Sequence, residues 1–135
     1  MTVTPQEALQ QLEDARDELG KLSDALYQIS VQLDGKDNEP GVEQQYQDFV
    51  DEHETGQWLK AQDDDGPKLP SEALRLKLAR RDMDPVLLAR HDLLIRKRKR
   101  VQQRISDVSK IIEANRSILS ALKEEAQGAG IRRAA

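Results

Sequence analysis

The chain has 135 residues, 34% of them charged and 3% aromatic, with no cysteine and a formal net charge of −4. This excludes a disulfide framework and a thiolate metal site, and it leaves little of the aromatic area on which compact globular cores lean. No apolar run approaches the roughly 18–20 residues of a membrane span, and the N-terminus lacks the basic and apolar regions of a signal peptide, so a cytoplasmic protein with no membrane association is expected.

Thr4, Pro5 and Glu7 predict the first helix start: a capping hydroxyl, a proline at the first helical position and an acid in the first turn. Leu12, Leu19, Leu26 and Leu33 then occupy one heptad position. Ala8, Ala15, Leu22 and Ile29 occupy the other, each four residues earlier. This spacing predicts a coiled-coil helix over about 5–34. The turn formers of DGKDNEPG, residues 34–41, end it. Val42, Tyr46, Phe49, Val50 and His53 recur at helical spacing and predict a second helix over about 42–60. AQDDDGPKLP, residues 61–70, breaks it, and a third short helix is expected over 71–81.

Asp84 and Pro85 read as an N-cap and first-turn proline. The long helix they open is expected over about 85–127, on the order of 60 Å at ~1.5 Å per residue. Leu87, Leu94, Val101, Val108, Asn115 and Leu122 form one seam line; His91, Arg98, Ile105, Ile112, Leu119 and Ala126 form the other. Leu88, Ile95, Ile111 and Ile118 widen the stripe, which suits a bundle or oligomer better than a lone pair of helices. Gly128 and Gly130 are read as the stop, with a mobile tail over 128–135. The expected fold is all-α: one helical domain over 1–135, an elongated helical hairpin or coiled-coil bundle with two short middle helices, forming a homo-oligomer. The oligomer seam is expected along Leu12, Leu19, Leu26, Leu33, Leu94, Val101, Ile105, Val108, Ile112, Asn115, Leu119 and Leu122. Whether it runs parallel or antiparallel, and within or between chains, stays open. Asn115 among aliphatics reads as a residue that sets register or oligomer state.

Charge is unevenly spread. Residues 1–68 carry 17 acidic against 5 basic side chains, a balance of −12; residues 69–135 carry 8 against 16, a balance of +8. Arg96, Lys97, Arg98, Lys99 and Arg100 are consecutive, with Arg104 one turn on. At about 100° per residue such a run surrounds a helix, so no single partner helix can neutralise it. One reading is that the cations pair with the acidic half and solvate the helix. The other is a phosphate-contacting collar that binds single-stranded nucleic acid in a salt-dependent way. Tyr46 and Trp58 could stack on bases but read first as core residues of the second helix.

Catalytic chemistry is not legible. His53 and His91 lie on apolar faces of separate helices and read as packing residues. Asp63, Asp64 and Asp65 before Gly66 lack the first ligand of a calcium loop, since that position is Ala61. No phosphate-binding loop, dinucleotide fingerprint, zinc-protease motif or nucleophile elbow occurs. A non-enzyme without cofactor or metal is expected.

The segment RISDVSKIIEANRSILSALKEE, residues 104–125, together with the opening MTVT and YQDFVDEHETGQWL, residues 46–59, resembles small helical proteins of actinobacterial phages. Those carry a basic helix leading to an Arg-Ser dipeptide, here Arg116 and Ser117; Asn115 stands where they are expected to have glycine. Such proteins occur beside recombination genes, and in size and helical make-up they are similar to recombination mediators of the T4 type. The resemblance implies a protein of the host-cell cytoplasm that forms rings and binds single-stranded DNA. It also implies help in loading a recombinase past single-strand-binding protein. The site residues this puts forward are Arg96, Lys97, Arg98, Lys99, Arg100 and Arg104. The alternative is a structural or adaptor coiled coil, a scaffold or assembly factor with no nucleic-acid role. A third reading is a small inhibitor acting on a host protein through the acidic half.

Overall fold

The computed structural model describes residues 3–134, with side chains for residues 3–128. Within that range the chain is all-α. Its helices are α1 (Pro5–Asp34), α2 (Val42–Ala61), α3 (Glu72–Asp82) and α4 (Pro85–Ala134). They fold as two compact units: residues up to Tyr27 with those from Lys99 onward, and Gln28–Arg98.

The first unit is a hairpin of α1 and α4. Thr4 opens α1 with a reciprocal capping box. Glu7 N–H donates to Thr4 Oγ1 at 3.1 Å, and Thr4 N–H donates to Glu7 Oε2 at 3.3 Å, satisfying two donors the helix start would otherwise leave open. Leu12 and Ala15 bury against Val108 and Ile112, with Leu19, Leu22 and Leu119 packed alongside. Glu18 meets Arg104 beyond them. Residue numbers thus fall along α1 as they rise along α4, so the pair is antiparallel. Counting from Glu18 and Arg104 at equal rise, Ala8, fully buried, lies about level with Asn115, 3% exposed. Each fully buried Leu, Ile or Val in this seam contributes about 1.5–3 kcal/mol.

The heptad lines are therefore satisfied inside one chain in this unit. Leu12, Val108, Ile112 and Asn115 are buried, while Leu19, Leu26, Val101, Ile105, Leu119 and Leu122 are half-buried. Part of what reads as an oligomer seam along the sequence, Leu12 and Leu19 with Val108, Ile112 and Leu119, is here the contact between α1 and α4.

In the second unit the last turns of α1 and the first turns of α4 join α2 and α3. Gly35, at φ +84°, ends α1 in the left-handed conformation, and its N–H donates to Val31 O at 2.9 Å. Gly41 is buried against the same helix end, where a Cβ would collide with Leu33 O. Ser71 Oγ caps α3 by accepting from Leu74 N–H at 3.3 Å, and Asp84 Oδ1 accepts from Val86 N–H at 3.0 Å to open α4. Ile29, Leu33, Val42, Ala79, Met83 and Leu94 are the buried apolar side chains.

Two expectations need correction. Gly128 and Gly130 do not stop α4, which continues to Ala134. An isolated glycine costs a helix about 1 kcal/mol relative to alanine, and that weakens it without removing a hydrogen bond. Ala135 lies outside the described residues, as do Met1 and Thr2 of the opening MTVT. Trp58 is not a core residue: it is 49% exposed, with the Arg75 guanidinium 5.8 Å from its ring centre. No apolar neighbour covers that end of α2 among the described residues: Leu59 beside it is likewise exposed, as are Leu74 and Leu76 of α3.

Candidate nucleic-acid interface

The basic run lies in α4, with Arg96, Lys97 and Arg98 in the second unit and Lys99, Arg100 and Arg104 in the first. Within the first unit Arg100 and Arg104 are spaced by four and share one face of α4, with Lys99 beside Arg100. Arg98 falls on the seam line and is half-buried, while Arg96, Lys97, Lys99, Arg100 and Arg104 are exposed. An arginine stem can pack on apolar neighbours while its guanidinium reaches water.

The run is mostly not consumed by the acidic half of the chain. Arg104 is: its Nε and one terminal nitrogen donate to the two carboxylate oxygens of Glu18 at 2.6 and 2.9 Å. That fork holds the Glu18 carboxyl below its usual range, first through the hydrogen bond. Arg96 Nε reaches the Asp92 carbonyl at 3.4 Å, a weak bond. Among the described residues Lys97, Arg98, Lys99 and Arg100 make no ion pair. Of the six residues put forward, Arg104 is the one whose charge is already committed within the chain to an acid of α1.

The aromatic residues do not join this row. Tyr46 of α2 stacks on His91 with ring centres 3.7 Å apart and planes 2° from parallel. Arg80 of α3 donates to Tyr46 Oη at 2.9 Å and grips Asp92 with bonds of 3.2 and 2.6 Å. The guanidinium holds the Asp92 carboxyl below its usual range, and Asp92 and Tyr46 in return push the Arg80 pKa further up. His91 is buried; its Nδ1 lies 3.3 Å from Asp92 Oδ1, and its Nε2 has no hydrogen-bond partner. Sequence reading placed Tyr46 and His91 on apolar faces but missed Arg80 and Asp92 as their partners. These residues come from three helices, and no local spacing signals such a junction.

His53 is fully bonded, between Asp82 Oδ2 at 2.8 Å and Gln57 Nε2 at 3.1 Å, and ties α2 to α3. No group of three or more His, Asp or Glu able to hold a metal ion occurs among the described residues. No helix among them is long and apolar enough to cross a membrane. No protein-family model, curated protein or solved structure matches the chain.

Proposed function

We propose that the chain is a non-catalytic accessory protein of phage DNA recombination, one that binds single-stranded DNA along α4 and assists recombinase loading. The observation that carries this reading is the set of four consecutive cations, Lys97 to Arg100, without an ion-pair partner among the described residues of a chain that is acidic as a whole. Such a row meets phosphates rather than base edges, so binding is insensitive to sequence. Arg96, Lys97, Lys99 and Arg100 are each exposed, so each can meet a phosphate. Recombinase and single-strand-binding protein are the protein partners this role requires, and the resemblance over residues 46–59 and 104–125 supports them.

The test is fluorescence anisotropy of a labelled single-stranded oligonucleotide at two salt concentrations. Four neutralised phosphates give a slope of about −2.8 in log affinity against log salt, so raising salt from 50 to 200 mM weakens binding about 50-fold. Replacing Lys97, Lys99 and Arg100 by Ala should remove this binding while leaving helicity and mass unchanged. Absence of binding at low salt would refute the proposal. A variant that keeps its helicity but changes mass would instead assign the run to assembly, the scaffold or adaptor reading.

A further inference from the structure

One face of α4 in the first unit carries an apolar strip that the α1 seam does not use. Ile111, Ala114, Ile118 and Ala121 recur at spacings of three and four and so share a face, about a third of a turn from the Val108–Ile112 seam. Ile111 is 38% exposed, Ala114 and Ala121 are exposed, and Ile118 is half-buried. Among the described residues the hairpin register leaves part of this strip without a neighbour. Glu18 is level with Arg104, so Pro5 is level with about residue 117, and α4 continues beyond it to Ala134. Among the described residues only Val3 and Thr4 precede Pro5.

We propose that this strip seats a second copy of the chain, α4 against α4 in antiparallel sense, about a two-fold axis between Ser117 and Ile118. The argument for a second copy is that the strip is complementary to itself. Lys110 flanks one end and Glu125 lies at the other, and neither makes an ion pair among the described residues. An axis midway between them sets Lys110 of each copy opposite Glu125 of the other, twice over. The same axis sets Ala114 opposite Ala121, where small side chains let two helices approach, and brings the two Ile118 residues together at the centre. Parallel pairing would instead set lysine against lysine and glutamate against glutamate. An isologous contact of this kind closes on itself and stops at two subunits.

This inference stands on the strip and not on the DNA reading, so it is tested without DNA. Sedimentation equilibrium of the full chain should give twice the 15.3 kDa chain mass. Ile118→Glu should reduce the mass to that of one chain with the helical circular dichroism unchanged. Lys110→Glu, at an exposed position, should weaken dimerisation about tenfold by opposing acid to acid, and adding Glu125→Lys should restore it. The charge-swap rescue reads the proposed pairing itself, which general damage to α4 would not reproduce. A wild-type chain that stays monomeric at ~100 μM, a dimer indifferent to Ile118→Glu, or failure of the double swap would each overturn the proposal.

Discussion

Asn115 offers the sharpest test of the hairpin. It is 3% exposed, level with Ala8, and its amide donates to Ile111 O at 2.9 Å, while its Oδ1 is buried with no partner. Leucine has the same branching, so Asn115→Leu exchanges two polar atoms for two methyl groups at little change of shape. Removing an unpaired buried acceptor returns about 1–3 kcal/mol, while losing the amide's one hydrogen bond costs about 1 kcal/mol net. Two buried methyl groups add about 1.5 kcal/mol. The variant should therefore be more stable by about 2 kcal/mol. In urea denaturation followed by helical ellipticity the midpoint should rise at unchanged slope. The melting temperature should rise by roughly 7 °C, given about 3–4 °C per kcal/mol for a chain of this length. A loss of more than about 1 kcal/mol would refute the reasoning, because it would mean that Oδ1 is bonded to something outside the chain. Asn115 then would specify association between chains, as its seam position suggests in the sequence, rather than the register of α1 on α4.

Further perturbations probe other parts of the molecule. Val108, fully buried at the centre of the first unit, should lose about 2–3 kcal/mol as Val108→Ala, measured by urea denaturation; a loss under 1 kcal/mol would show that the seam is not packed there. Two glycine replacements should act in opposite directions in thermal melts. Gly20→Ala adds a Cβ that meets nothing within 4 Å and should stabilise α1 by about 0.5–1 kcal/mol, whereas Gly41→Ala drives a Cβ into Leu33 O and should destabilise the second unit. The Asp92 carboxyl is held below its usual range mainly by its bonds to Arg80. Its contribution is therefore present above the ordinary aspartate pKa of about 3.9 and is lost as pH falls through the lowered one. Asp92→Asn should flatten the dependence of the denaturation midpoint on pH below about 4; an unchanged slope would remove Asp92 from the account of acid stability.

Much of the architecture was legible residue by residue because it is local. The cap at Thr4 with Glu7 and the Asp84–Pro85 start each act within one helical turn, and each was readable from a few adjacent residues. The heptad lines were readable for the same reason: a side chain's face follows from its number at 100° per residue. A run of consecutive cations surrounds the helix for the same reason, and Lys97, Lys99 and Arg100 are exposed. The end of α4 was misread because a glycine's cost is small against the continuing backbone ladder. Trp58 was misread because an aromatic residue on an amphipathic helix buries only if a neighbour large enough is placed over it.

The sequence by itself determined an all-helical chain, the starts of its helices, the apolar lines and the exposed basic row, all set by interactions within a few residues. Only the tertiary structure decided which helix answers each line. α1 and α4 satisfy each other in antiparallel register within the chain, Glu18 claims Arg104, and Arg80 draws Asp92 and Tyr46 into one junction. The polar pairs among those choices join residues 12 to 86 positions apart, and the seam joins residues still more distant along the chain. A heptad line offers the same apolar knobs to any partner, so periodicity cannot name the partner. Burial and the pairing of charges within the folded chain can.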